Sequence, residues 1–164
     1  FAHAGMAITI AGITASSAWR VESIQVMKFG DQVNVAGYTY TLERVREVQG
    51  PNYKAVRGTF SVTKGESFKL ILEPEKRTYT TPVMVTTEAA IHPTFLGDLY
   101  AVVGDKNEKS GGYITRIYFN PLVPWMWAGA TIMVLGAGIS LTDRRHRVGA
   151  PAKSKDTVDG LPAE

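Results

Sequence analysis

Residues 123–141 read VPWMWAGATIMVLGAGISL, with no charged side chain. As an α-helix rising about 1.5 Å per residue, this run can cross a hydrocarbon core of about 30 Å. Trp125 and Trp127 stand at its start, where indole rings favour the headgroup level. Asn120, Pro121 and Pro124 mark the entry, and a proline near a helix start costs little. TDRRHR follows at once, and Arg144, Arg145 and Arg147 form a basic stop that the positive-inside rule assigns to the cytoplasm. The alternative is a buried core helix of a soluble protein. Uncharged length, aromatic entry and basic exit together argue against it.

The other end of the chain repeats the theme. Residues 1–18 carry no formal charge and end at Trp19-Arg20. Gly5, Thr9, Gly12 and Ser16 recur at helical spacing and make a small-residue face on which another helix can pack. Two spans around a polar middle must run in opposite directions. If the second ends in the cytoplasm, the middle lies outside, in the periplasm of a bacterium. The chain starts at Phe1, without the basic start or cleavage site of a secretory signal, and reads as a piece of a larger membrane protein.

The middle is rich in β-branched and aromatic residues. QVNVAGYTYTLERVREV (32–48) alternates for much of its length, and YKAVRGTFSVT, SFKLILE, LYAVVGD and YITRIYF follow. Gly50-Pro51-Asn52, Lys64-Gly65 and Gly111-Gly112 are turn signals between runs. Ala89 and Ala90 are expected in a short helical turn before Pro93. The expected organisation is a membrane-protein fragment with two transmembrane α-helices flanking a small all-β periplasmic domain, an antiparallel barrel or sandwich. Its parts are a truncated helix at 1–19, the β-domain at 20–120, a helix at 121–142, and the basic stop with a disordered tail at 143–164.

Composition narrows the function classes. The 164 residues carry a net charge of +3 and no cysteine. Disulfides, thiolate metal sites and cysteine nucleophiles are therefore excluded within this sequence. No basic run interleaved with aromatics is present, which excludes nucleic acid as a partner. No phosphate loop, dinucleotide fingerprint or hydrolase elbow occurs. Glu88 and Asp98 have no spacing that favours paired acid–base work, and EPEKRTY, with Glu75, Lys76 and Arg77, could dock a partner or a haem propionate but reads more readily as a solvated turn.

His3 is the residue with a chemical question attached. An ionisable group inside a span is costly and usually faces the bundle interior. A neutral imidazole there can ligate haem iron, relay a proton, or bond to a neighbouring helix. It lies on the order of 20 Å below the outer surface if the helix runs to about Ser16, and Ala4, Gly5 and Ala7 beside it leave room for a flat macrocycle. His92, apparently in a loop, and His146, in the basic stop, form no metal-spacing motif with it.

Seven segments in order carry a family resemblance. They are AHAGMAITIAGITASSAW (2–19), GDQVNVAGYTYTLERVREVQGPNY (30–53), RGTFSVT (57–63), PEKRTY (74–79), TTEAAI (86–91), DLYAVVGD (98–105) and NPLVPWMWAGATIMVLGAGISLTDRRHR (120–147). The chain resembles the C-terminal quarter of the CcmF family, the cytochrome c haem lyase subunits of the System I maturation machinery. The resemblance implies a polytopic protein of the bacterial inner membrane that carries haem b. Such a protein takes haem from the holohaem chaperone CcmE and attaches it to the CxxCH motif of apocytochrome c, alongside CcmH and CcmI. It implies that His3 is an axial ligand to haem b, and that the haem could reduce the incoming haem so that its vinyl groups add the cysteine thiols. It also implies that the other haem ligands and the transfer site lie upstream of these residues. It gives no role to His92 and no catalytic residue within the chain. The β-domain then helps to shape a docking surface. The competing function is a membrane-anchored periplasmic β-module that only scaffolds or binds proteins. A transporter would want more intramembrane polar residues than two such spans supply.

Overall fold

The computed structural model describes residues 2–142. The expected basic stop, His146 and the expected disordered tail lie outside the described residues. Those described form α1 (Ala2–Ala18), ten strands and α2 (Val123–Thr142). The strands are β1 (Val21–Met27), β2 (Gln32–Val35), β3 (Tyr38–Gln49), β4 (Tyr53–Lys64), β5 (Phe68–Leu72), β6 (Glu75–Thr80), β7 (Val83–Glu88), β8 (Ala90–Thr94), β9 (Gly97–Lys106) and β10 (Tyr113–Pro121).

Two antiparallel sheets face each other. One has the order β1-β10-β9-β8, the other β2-β3-β4-β6-β7, with β5 also paired to β4. Period-two alternation sorts side chains between the core and the outside. In β9, Leu99, Ala101 and Val103 are fully buried, while Asp98, Tyr100 and Val102 between them are half-exposed. Tyr40, Leu42, Phe60 and Val62 answer from the second sheet, and Met27, Val35 and Ile117 complete the core. The all-β expectation therefore resolves to a sandwich.

Local chemistry sets the strand ends. Val35 pairs with Tyr38 across Ala36-Gly37, a two-residue hairpin with φ of 53° and 78°. Such a turn needs positive φ at both central residues, which glycine supplies freely and alanine does not. The Asn34 side-chain carbonyl steadies it by accepting the Gly37 N–H at 3.2 Å. β4 takes two neighbours along one edge, β6 on Tyr53–Arg57 and β5 on Phe60–Lys64. Between them the Gly58 N–H donates to the Pro74 carbonyl at 2.9 Å. A Cβ on Gly58 would sit 3.2 Å from Val103 Cβ, so glycine here lets the two sheets close.

Three local expectations change. Ala90 opens strand β8 rather than a helical turn, because residues 90–94 pair in register with β9. His92 consequently lies in a strand, half-buried, with its ring 6.3 Å from that of Phe68. Glu75, Lys76 and Arg77 lie on β6, not in a solvated turn, and Glu75 is only 4% exposed.

Both helices leave the same end of the sandwich, α1 running into β1 and α2 running out of β10, two strands that pair directly. α2 is long and apolar enough to cross a membrane, with 6% of its apolar window buried. α1 has 17 residues and packs beside it.

Candidate functional site

The helix pair is built on missing side chains. A Cβ at Gly5 would lie 2.7 Å from the Gly129 carbonyl oxygen and from Met133 Cγ. One at Gly12 would lie 2.7 Å from Met126 Cγ and 3.0 Å from the Leu122 carbonyl. The helices are thus antiparallel with touching backbones, the geometry that small residues permit. Thr9 sits on this face and donates its hydroxyl to the Gly5 carbonyl at 3.0 Å, satisfying itself within its own helix. Ala15, not Ser16, closes the face, since three residues beyond Gly12 is the position that is buried.

His3 is exposed on α1. Two residues from Gly5 is about 200° around a helix, so its side chain leaves the face opposite α2. Its depth follows from the same contacts. Gly5 lies level with Gly129 and Met133, and two further residues add about 3 Å. His3 therefore stands level with about Met133, at the midpoint of the 20-residue α2. Ala4 and Ala7 beside it are exposed and small. Among the described residues no group of three metal-ligating side chains exists. The imidazole fits an axial haem position on one count, an open ring on a small-residue flank, and it supplies a single ligand.

The end of the sandwich remote from the helices carries the charged cluster. Glu75 accepts from Arg77 Nε at 2.7 Å and is bridged by the Arg57 guanidinium. Burial alone would push its carboxyl up. The hydrogen bonds and charges of Arg77 and Arg57 outweigh burial and hold it below the usual range. The Arg77 guanidinium also lies 4.7 Å from the centre of the Tyr53 ring. Lys76 pairs with Asp105, tying this sheet to the end of β9. Beside that pair is an open groove of roughly 560 Å³, floored by Val48, Ala55, Val56 and Val85 and rimmed by Glu47 and Lys54. Next to it β7 forms the sheet edge. Val83, Met84 and Val85 are 83%, 51% and 56% exposed. Successive strand residues point to opposite faces, so neither face of this stretch is covered.

The remaining candidates are not brought together. Glu88 ends β7, where its partners are Thr86 and, at 4.0 Å, Arg77. Asp98 lies at the helix-bearing end with Oδ1 buried and unpartnered. Burial pushes its carboxyl up, and the charge of His92 opposes this. His92 and Asp98 sit on adjacent strands at offset positions, since His92 pairs with Leu99. The arrangement supplies no acid–base pair. The buried Glu75 cluster was missed in the sequence because EPEKRTY reads as a turn; its signal was alternation, with Glu75, Arg77 and Tyr79 two apart.

The family pattern "CcmF C-terminal beta-sandwich" matches residues 18–121. The chain belongs to the CcmF family. Its relatives include the cytochrome c-type biogenesis protein ccl1 of Rhodobacter capsulatus, 45% identical over the whole of this chain and 25% of that protein. The CcmF of Escherichia coli is 41% identical over 89% of this chain and 22% of its own length. The CycK protein of Bradyrhizobium diazoefficiens is 39% identical over 99% of this chain and 24% of its own. The chain thus spans about a quarter of the length of these CcmF-family relatives. A solved structure titled "Cytochrome c Heme Lyase CcmF" has the same fold, with a TM-score of 0.70 at 20% identity over 86% of this chain and 23% of that one.

Proposed function

We propose that the chain is the C-terminal part of a membrane haem lyase. That protein takes haem from the holohaem chaperone CcmE and attaches it to apocytochrome c. In this reading α1 and α2 cross the bacterial inner membrane in opposite directions, and the sandwich stands in the periplasm. The basic residues after α2 lie in the cytoplasm. His3 would hold haem b through its imidazole, together with residues from the remainder of the protein. CcmH and CcmI are the expected neighbours in the maturation complex.

One observation carries the reading. His3 stands level with the middle of α2 and faces away from it. In a bilayer this puts an ionisable ring at the costliest depth, which is sustained where the ring has a partner in the bundle. A bound haem b would supply one-electron chemistry at that level. The chain's own contribution is positioning. Gly5, Gly12 and Gly129 lock α1 against α2, and this fixes the depth and direction of the imidazole. Ala4 and Ala7 keep the flank clear.

The test is the visible spectrum of the intact protein before and after His3→Ala. A b-type, bis-imidazole spectrum that is lost or altered supports the reading. An unchanged spectrum removes His3 from the haem site. That result favours the second reading, a membrane-anchored periplasmic β-module that scaffolds or binds proteins. The open β7 edge beside its groove supports that alternative independently of haem.

A further inference from the structure

The turn between β8 and β9 reverses the usual chemistry of a turn. Its two residues are Phe95, 76% exposed, and Leu96, 57% exposed. Water-facing turns favour Gly, Asn, Asp and Ser. The backbone of the turn is nevertheless firmly held. The Trp125 indole N–H donates to the Phe95 carbonyl at 3.0 Å, and the Leu122 N–H donates to the Leu96 carbonyl at 2.9 Å. The Phe95 and Trp125 rings meet edge to face, 5.6 Å between centres. Gly97, at φ +157°, has no room for a Cβ against the Asn120 carbonyl oxygen and Pro121. The turn is therefore fastened to the first turn of α2 while its two apolar side chains project outward. Trp127 and Trp19, 74% and 67% exposed, flank the same end of the sandwich.

We infer that Phe95 and Leu96 form a membrane-interface anchor. Their side chains enter the boundary between headgroups and acyl chains of the bilayer that α2 crosses, and they fix the tilt of the sandwich on the membrane. The inference rests on the proposed spanning role of α2. Lipid is the occupant because the turn is fastened to the start of the uncovered apolar α2 and packs on the Trp125 indole, a ring that favours the interface. The indole and backbone hydrogen bonds to the turn's two carbonyls make helix and turn one rigid piece. Insertion of the turn then adds a third point of support to the two helices that carry the β-domain.

The 164 residues contain no cysteine, so one introduced cysteine is a unique label site. The intact protein, with any cysteine outside these residues replaced, is placed in vesicles of phosphatidylethanolamine and phosphatidylglycerol, carrying a nitroxide at Leu96→Cys, Val134→Cys or Lys109→Cys. Collisions with oxygen and with a water-soluble nickel chelate report depth. The expected result is oxygen-rich, nickel-poor contact at position 134 and water-like contact at position 109. Position 96 should then lie within about 10 Å of the headgroup boundary on the lipid side. If position 134 is in lipid while position 96 meets nickel as freely as position 109, the anchor is wrong and the spanning role stands. If position 134 is in lipid while position 96 is shielded from both reagents, protein covers the turn and the anchor is again wrong. If position 134 meets water, the spanning role fails and takes the anchor with it.

Discussion

At the scale of single residues, Ala36 bears a backbone conformation that suits other residues better, and Glu75 a buried charge. Ala36 holds φ 53° in the β2–β3 hairpin, on an exposed surface where only its backbone matters. Asparagine tolerates this region better, and Asn-Gly is the preferred pair for such a turn. Ala36→Asn should stabilise the fold by about 0.5–1 kcal/mol, seen as a higher urea midpoint at unchanged slope; a lower midpoint would contradict the turn assignment. Glu75 works through charge. Its carboxyl titrates below the unfolded value of about 4.3. The stabilisation it provides is therefore complete above that pH and disappears as pH falls through the folded value. Glu75→Gln should cost about 1–3 kcal/mol at pH 7 and flatten the loss of stability between pH 5 and 3. Denaturant titrations across that range, run on both proteins, would show parallel curves if the two guanidiniums were not responsible.

Elements show what the sequence could and could not reveal. That α2 would be a helix was legible because an uncharged apolar run of this length, entered through prolines, suits a helix whether it spans a membrane or fills a core, and Val123–Thr142 is what forms. The small face of α1 was legible at Gly5, Thr9 and Gly12 because helical spacing is local arithmetic. Its register against α2 was not, since it depends on Gly129, from the far end of the chain. The same limit hid β8. Ala89-Ala90 favours helix locally, and only pairing with β9 makes residues 90–94 a strand. EPEKRTY resembles a turn, with Pro74 among four charges, until β4 lies alongside. His3 was legible as an oddity, but its depth and direction needed the helix crossing. That crossing can be tested directly. Gly129→Ile would drive a side chain into Thr9 Oγ1 and the Gly5 carbonyl. Spin labels at the exposed Met6 and Leu135 should then separate or broaden in distance distribution, whereas an unchanged distribution would show that the glycines do not set the contact.

For the whole molecule, burial is unevenly spread, and it thins toward the exposed β7 edge. The middle of the sandwich is double-covered: Leu99, Ala101, Ile117, Tyr40 and Phe60 have no exposure. At the β6–β7 end Val83, Met84 and Val85 are open on both faces. What holds it is a set of polar and aromatic links: Arg57 and Arg77 on Glu75, Lys76 on Asp105, and the Tyr53–Tyr79 ring contact at 5.4 Å. Links of this kind are individually weak beside a buried apolar layer. The β6–β7 ladder should therefore open without unfolding the rest. Native-state hydrogen exchange should show its hydrogen-bonded amides at least about a hundredfold faster than those of the β9–β10 ladder, a gap of about 2.8 kcal/mol at 1.4 kcal/mol per tenfold. The β9–β10 amides should exchange only through global unfolding, and so respond to denaturant with its full slope. Equal protection in both ladders would mean that the overhanging edge is as rigid as the core. In that case a partner strand would meet a finished surface instead of one that its binding completes.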